Sequence, residues 1–337
     1  MLLNPYRFSL AGDYFLAAAH SSSPFATIYR QSGDSFSKLS NPATLPAGAG
    51  TGIDFSADGV YLAVATVNSP YVNIYKRSGD TFTKLSNPAT LPTGIGRDVA
   101  FSADGTYLAV AHLTSPFITI YKRSGDTFTK LANPGTLPAG TGYSASFSAD
   151  GVYLAVAHAT SPSVTIYKRS GDTFTKLTNP ASLPAGGFAL GVAFSAGGTY
   201  LAVAHLSSPY ITIYKRSGDT FTKLSDPATL PAGAGNGVAF SADDVYMAVA
   251  HGVSPYVTIY KRSGDTFTKL SDPAALPAGQ GNGVAFSADG LYMTVAHATS
   301  PYITTYKRSG DTFTKLSDPA ALPAGDAVSV AFYPRTF

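Results

Sequence analysis

One segment of the chain recurs from end to end with a period of 46 or 47 residues. A phenylalanine, followed by serine in all copies but the last, marks the same point of each copy, at Phe8, Phe55, Phe101, Phe147, Phe194, Phe240, Phe286 and Phe332. A fixed period of this length is typical of tandem structural repeats, in which each unit buries its apolar faces against its neighbours. The repeat therefore constrains the fold more than any other feature.

Each copy has the pattern of four short strands. In the copy from Gly50 to Pro92, the segment 53–56 ends at an Asp-Gly turn, and the apolar segment 61–65 follows it. Asp-Gly between two apolar runs is a strong hairpin signal. Segments 71–77 and 81–85 then alternate apolar and polar residues around a second turn. Four strands per 46 residues, with no helical period, predict an all-β propeller built from four-stranded antiparallel blades.

Composition excludes several classes of protein. The chain has no cysteine, so it has neither disulfides nor thiolate metal sites. Its net charge is only +3 over 337 residues, which argues against a nucleic-acid partner. No apolar run is long enough to span a membrane. The first 20 residues lack a basic start and align with the repeat, so we expect them to belong to the fold.

The tract VAFSADG, followed by a second apolar strand, resembles the inner hairpin of WD40-type propellers. Val257–Lys261 lies where that family often has a Trp-Asp pair, but this chain has Tyr-Lys there. The family's usual Gly-His before the inner strand is also missing. The chain is similar as well to the highly repetitive propellers of bacteria and phages. The resemblance covers the whole chain and implies a WD40-like propeller, while it implies little about function.

Counting the copies predicts seven blades in a single domain, 1–337. The first-strand motif occurs eight times, so one copy is surplus. We predict that segment 327–332 closes the ring beside segment 14–19, because Pro5 cannot donate a ladder hydrogen bond and Arg7 is awkward in a buried strand. Residues 1–7 would then lie on the surface. The alternative is that the N-terminal copy takes this place.

Several motifs that suggest chemistry have simpler structural explanations. The six histidines share one repeat position at the end of the second strand, namely His20, His112, His158, His205, His251 and His297. Zinc ligands lie about 2 Å from the metal, whereas equivalent positions on adjacent blades should lie roughly 10 Å apart. The Asp-Gly turns lack a calcium-loop pattern, and the Gly-rich segment 230–237 feeds a strand, not a helix. We expect no metal and no cofactor.

The basic turn Lys76–Asp80 recurs in nearly every blade. It suggests a basic rim, which could attract an anionic partner. The aspartate in each turn and the scatter around a wide ring dilute the charge. We therefore expect a solvated edge that discourages pairing between sheets.

The copies differ at a few positions only. Two of these precede each inner strand, and a third cluster follows each histidine. All three are expected on one face, at the mouth of the central channel. Our candidate ligand-binding residues are Ile95, Arg97, Tyr143, Phe188, Leu190, Asn236, Gln280 and Asn282. A rigid frame with variable loops is a common way to build a binding surface.

Two explanations of this variation stay open. One is a diversified binding face. The other is neutral drift in loops that bear little packing. Drift should also have altered the exposed turn Ser78-Gly79-Asp80, and it scarcely has.

These observations predict a non-catalytic binding or scaffolding propeller that recognises a protein or a glycan as a monomer. The chain is not expected to be an enzyme, because its Ser, His and Asp recur at equivalent places and no set is unique. The alternative is a lactonase-like or hydrolase-like propeller enzyme, for which Asp54, Asp98 and Asp326 are the acidic candidates at the channel mouth. A further alternative is a structural part of a phage or cell-surface assembly.

Overall fold

The computed structural model describes residues 14–333, which form seven four-stranded antiparallel sheets. The strands are β1 Tyr14–His20, β2 Ala26–Ser32, β3 Ser35–Lys38, β4 Gly50–Phe55, β5 Tyr61–Thr66, β6 Val72–Ser78, β7 Thr81–Lys84, β8 Gly96–Phe101, β9 Tyr107–His112, β10 Ile118–Ser124, β11 Thr127–Lys130, β12 Gly142–Phe147, β13 Tyr153–His158, β14 Val164–Ser170, β15 Thr173–Lys176, β16 Ala189–Phe194, β17 Tyr200–His205, β18 Ile211–Ser217, β19 Thr220–Lys223, β20 Gly235–Phe240, β21 Tyr246–His251, β22 Val257–Ser263, β23 Thr266–Lys269, β24 Gly281–Phe286, β25 Tyr292–His297, β26 Ile303–Ser309, β27 Thr312–Lys315 and β28 Ala327–Tyr333.

Each sheet is one blade, and in blades 2 to 7 the strands run from the channel outward in chain order. Blade 1 contains β28, β1, β2 and β3, while blades 2 to 7 each take four consecutive strands from β4 onward. The innermost strands contact one another around a closed ring. The prediction of a seven-bladed all-β propeller is confirmed. A single 3₁₀ turn, Ala185–Gly187, interrupts the described strands and loops before β16.

The C-terminal strand closes the ring, as predicted. β28 pairs with β1 in antiparallel register, with Ala17 opposite Ala331 and Leu16 opposite Phe332. The blade that begins the chain is therefore completed by the segment that ends it. The N-terminal copy of the motif lies outside the described residues.

The apolar core lies between neighbouring blades. The second strand of each blade is buried on both faces, as in Tyr61–Thr66, because a blade sits on either side of it. Tyr61 of blade 2 packs edge-on against Phe128 of blade 3, with ring centroids 5.7 Å apart. Edge-to-face packing of this kind adds to the stability that burial of the rings provides. No blade could bury both of its faces alone.

A recurring polar contact, which we call the latch, joins the outer part of each blade to the next. The Tyr107 hydroxyl of blade 3 donates to Asp172 of blade 4 at 2.6 Å and to the Gly171 carbonyl at 3.1 Å. Lys122 donates to the other carboxylate oxygen of Asp172 at 2.8 Å, and the Arg169 guanidinium lies over the Tyr107 ring at 4.8 Å. Tyrosine, lysine, aspartate and arginine of two blades thus form one interlocking unit.

The ion pairs of these latches run around the whole ring. They are Arg30–Asp80, Lys76–Asp126, Lys122–Asp172, Lys168–Asp219, Lys215–Asp265, Lys261–Asp311 and Lys307–Asp34. The turn is solvent-exposed, as expected, and its charges also join adjacent blades. That it discourages pairing between sheets stays a prediction.

Candidate functional site

The innermost strands enclose a central cavity of about 520 Å³. Most positions that face it are small, since glycine, alanine and valine recur on β16, β20, β24 and β28. Polar and charged side chains concentrate on β4, β8 and β12, which belong to three consecutive blades. The sevenfold symmetry of the frame is therefore broken inside the channel.

Six of the eight candidate residues line this cavity, namely Arg97, Tyr143, Leu190, Asn236, Gln280 and Asn282. Ile95 and Phe188 do not line it, and each lies one position before its innermost strand, β8 and β16 respectively. That these eight residues bind a ligand stays a prediction.

The two variable regions of each blade meet on one face. The Leu113 amide donates to the Ile95 carbonyl at 3.1 Å, and the Leu206 amide donates to the Phe188 carbonyl at 3.2 Å. The entry loop of the inner strand therefore lies beside the loop that follows the second strand. We call this face the channel mouth.

Arg97 is the cation of the cavity wall. Its guanidinium lies 5.5 Å from the centre of the Tyr143 ring, and that ring lies 5.2 Å from the ring of Phe188. The Arg97 Nε is buried and has no hydrogen-bond partner within residues 14–333. A half-buried guanidinium that is stacked on a ring in a cavity wall suits an anionic ligand group.

The asparagines of the cavity have a structural role. Asn282 donates from Nδ2 to the Ala327 carbonyl at 2.8 Å, and Asn236 donates to the Gly281 carbonyl at 2.8 Å. Thr51 does the same toward the Gly96 carbonyl at 2.7 Å. Each of these hydrogen bonds links the innermost strand of one blade to that of the next, and we call such a bond a staple. Leu190 has no polar side-chain group, so blade 5 cannot form a staple at this position.

Asp98 and Ser144 form a hydrogen-bonded pair in the cavity wall. Our comparison of the variable positions did not identify this pair. The Ser144 hydroxyl donates to Asp98 Oδ2 at 2.8 Å, and the Ala145 amide donates to the same oxygen at 3.1 Å. The Val99 amide donates to Oδ1 at 2.9 Å. The signal was present in the sequence, because four other copies have glycine at this position, at Gly52, Gly191, Gly237 and Gly283.

The other acidic candidates are placed differently. Asp54 lines the cavity but is buried, and its Oδ2 accepts the Phe101 amide at 2.8 Å. Asp326 is exposed and lies outside the cavity. Ser146, which sequence reasoning also missed, accepts the Phe194 amide at 3.1 Å. Asp98 is thus the carboxylate that is both in the cavity wall and only half-buried.

The histidines have a structural role, and each contacts a threonine of the neighbouring strand. His158 Nε2 lies 2.9 Å from the Thr165 hydroxyl on the neighbouring strand, and the other five repeat this contact. Burial lowers the pKa of His158 to about 4, so it is neutral at pH 7. No group of three or more His and Asp side chains within the described residues is arranged to hold a metal ion.

The invariance of the exposed turn now has a structural cause. Gly125 and Asp126 of one such turn accept the Tyr61 hydroxyl. The turn therefore bears inter-blade contacts that a change would break. Its contrast with the variable loops no longer distinguishes a selected binding face from drift.

No protein-family model matches this chain, and no curated protein sequence matches it. Its fold is similar to solved structures. A Lactobacillus plantarum protein has a TM-score of 0.79 at 17% identity, over 95% of this chain and 99% of that one. A Bacteroides uniformis protein assigned as a 6-phosphogluconolactonase has a TM-score of 0.77 at 15% identity, over 95% and 99%. The Pseudomonas aeruginosa periplasmic gluconolactonase has a TM-score of 0.73 at 17% identity, over 95% and 99%.

These neighbours correct one of our predictions. We expected no enzyme, and that expectation is contradicted by the likeness to two proteins named as lactonases. The reason given for it also fails, because the copies are not equivalent inside the channel, where Asp98 and Ser144 replace glycine. Because the identity is only 15% and 17%, the likeness to these two proteins establishes the fold and not the activity.

Two residues occupy the positions where WD40 propellers often have Trp-Asp. Tyr260 donates to the Thr229 carbonyl at 2.9 Å, and Lys261 belongs to a latch. No helix among residues 14–333 is long and apolar enough to cross a bilayer.

Proposed function

We propose that the channel mouth binds a small lactone and that this chain hydrolyses it. The observation that carries the proposal is the cluster of Arg97, Asp98, Tyr143 and Ser144 in one arc of a cavity whose other walls are mostly small and apolar. A cavity of about 520 Å³ suits a small organic ligand. The lactonases of similar fold support this choice of reaction.

The chemistry needs one activated water and one stabilised oxyanion. A water molecule attacks the carbonyl carbon and gives a proton to the Asp98 carboxylate. The Arg97 guanidinium stabilises the negative charge that develops on the carbonyl oxygen. The ring C–O bond then breaks, and the ring oxygen takes the proton back from Asp98 and leaves as a hydroxyl group. The product is a hydroxy acid, whose carboxylate can pair with Arg97.

Asp98→Gly is the sharpest test, because glycine stands at this position in four other copies and fits the blade. Hydrolysis of δ-gluconolactone and δ-decalactone would be followed by proton release. Loss of a general base lowers kcat by about 10²- to 10⁴-fold. An unchanged kcat in Asp98→Gly, or no hydrolysis of any lactone by the parent, would overturn the proposal. Val328→Ala, a small change elsewhere in the cavity wall, serves as the control.

A second candidate is recognition of a glycan or a protein through the same mouth. The ring pair Tyr143 and Phe188 and the exposed amide of Gln280, all at the channel mouth, favour this reading, since aromatic and amide side chains are common in such contacts. A glycan-array and pull-down comparison of the parent with Arg97→Ala/Tyr143→Ala/Phe188→Ala tests it. Equal binding by both proteins would reject it. A monomeric state and a relation to repetitive WD40-like propellers of bacteria and phages stay predictions.

A further inference from the structure

Blade 5 has an entry loop unlike those of the other described blades. The spacing from Phe147 to Phe194 is 47 residues, one more than the spacing before each of the next two copies. The extra residue is accommodated in the 3₁₀ turn Ala185–Gly187, where Gly186 and Gly187 have φ of +76° and +66°. Such φ values favour glycine. The loop is thus a distinct local structure and not a frayed copy.

This loop brings one aromatic ring onto another. It ends at Phe188, whose ring contacts that of Tyr143 in blade 4 at 5.2 Å. The loop also packs tightly against the neighbouring loop of its own blade. A Cβ added to Gly186 would clash with the Ser207 hydroxyl oxygen. The remodelled loop is therefore fixed between Tyr143 on one side and the segment at Leu206 and Ser207 on the other.

Four apolar or aromatic side chains gather around this loop, and we call them the apolar strip: Tyr143, Phe188, Leu190 and Leu206. Leu206 is 42% exposed, and its amide is bonded to the Phe188 carbonyl. Leu190 extends the strip into the cavity. At the position of Leu190 two other blades have asparagine, which donates to the next blade. Blade 5 has exchanged that hydrogen bond for an apolar surface.

The strip begins at the cation of the cavity. Arg97 stacks on Tyr143 at 5.5 Å, so its charge and the strip are contiguous. Charge and apolar surface together define an amphipathic ligand with an anionic or strongly polar head and a hydrocarbon arm. A wholly hydroxylated sugar suits this surface poorly, because leucine and phenylalanine side chains offer its hydroxyl groups no hydrogen bonds.

We propose that the ligand of the channel mouth carries a hydrocarbon arm that lies on the apolar strip while its head faces Arg97. This inference rests on the proposed function for the reaction and names its substrate class, an alkyl-substituted lactone whose product is an alkyl hydroxy acid. Phe188, Leu190 and Leu206 are the specificity-determining residues. The same surface would bind a simple fatty carboxylate even if no lactone were hydrolysed.

The test measures binding separately from turnover. Binding of decanoate and of gluconate is measured by titration calorimetry on the full chain. The variant replaces residues 186–191 with the sequence of residues 233–237, the corresponding loop of blade 6, which already folds in the same frame. Val253→Ala is the matched control, because Val253 is an exposed aliphatic side chain outside the strip.

We expect decanoate to bind at least about tenfold more tightly than gluconate, since each buried methylene strengthens association severalfold. The loop replacement should weaken decanoate binding about tenfold or more, and Val253→Ala should not change it. Leu206→Ser should weaken it too, without any change of backbone. Tighter binding of gluconate, no binding of decanoate, or equal decanoate affinity in parent and loop variant would overturn the inference. Strip-dependent decanoate binding without hydrolysis of any lactone would contradict the proposed function alone.

Discussion

Thr66 and Asn73 of blade 2 form a 3.1 Å hydrogen bond between their side chains, at the place where six other blades pair a histidine with a threonine. Both partners differ from those of the other blades, so the two substitutions compensate each other. The pair lies in a fully buried hairpin, where an unpaired polar group would be costly. What the blades preserve is the buried hydrogen bond and not the histidine.

Acid should destabilise this protein through its histidines. Burial lowers the pKa of His20, His112 and His158 to about 4 from an ordinary value of 6.5. As pH falls from 6.5 toward 4, the unfolded chain binds protons that the folded chain refuses. Stability is therefore lost on acidification, by about 1.4 kcal/mol per pH unit for each such histidine.

The natural Thr-Asn pair supplies a control for that dependence. We expect His158→Thr/Thr165→Asn to fold, because blade 2 carries the same pair, and to show a shallower loss of stability between pH 6.5 and 4.5. Urea unfolding at several pH values measures the free energy of unfolding for both proteins. An identical pH slope in both would contradict the assignment of that slope to buried neutral histidines.

The latch hydroxyl should stabilise each junction between blades. Tyr107→Phe removes the hydrogen bonds to Asp172 and to the Gly171 carbonyl. We expect a loss of about 1 kcal/mol, which is typical of one such interaction. At the junction of blades 1 and 2, Phe15 stands where the others have tyrosine, and Arg77 lies over its ring at 4.8 Å. Phe15→Tyr should therefore raise stability, and denaturant unfolding of both variants measures the two effects. A gain in Tyr107→Phe would reject the latch.

The ion pair of the same latch should contribute less than its hydroxyl. The Lys122 and Asp172 side chains are 44% and 46% exposed, and solvent screens such pairs. We expect Lys122→Ala to cost less than about 1 kcal/mol and its effect to shrink further in 1 M salt. Thermal unfolding at low and high salt checks this. An effect that is independent of salt would show that packing of the lysine stem, not its charge, is what matters.

Removal of the closing strand should be far more damaging. Without residues 326–337, β1 loses its inner neighbour β28 and pairs with β2 alone, and the buried side chains of Val330, Ala331 and Phe332 are gone. We expect a loss on the order of 5 kcal/mol or more, given what burial of such side chains contributes. Thermal unfolding of the truncated chain measures this, and a synthetic peptide of residues 326–333 should restore part of the loss. An unchanged melting temperature would show that another segment holds this place.

The channel residues should differ in what they contribute to stability. Asn282→Ala removes a donor to the Ala327 carbonyl and should cost about 1 kcal/mol. Leu190→Asn should restore a donor of the same kind toward blade 6 and leave stability equal or higher. Chemical denaturation compares the two. A higher free energy of unfolding in Asn282→Ala would contradict a stabilising hydrogen bond from Asn282 to the Ala327 carbonyl.

The sequence by itself determined the blade, the number of blades and the closure by the C-terminal copy. A hairpin is a local structure, and the period states how often it is repeated, so residues near one another in the chain were sufficient. The sequence also placed the variable loops on one face, because strand direction alone decides that.

Only the tertiary structure decided which copies touch and through which atoms. Asp98 and Ser144 are 46 residues apart, and Tyr107 and Asp172 are 65 apart, so no local pattern relates them. Near-identical repeats hide such pairs, since each residue has six equivalents and the stagger between blades selects one. Asn282 and Arg97 occupy equivalent repeat positions and are both half-buried, but Asn282 donates to the Ala327 carbonyl while Arg97 stacks on Tyr143. Such contacts exist only after the ring has closed.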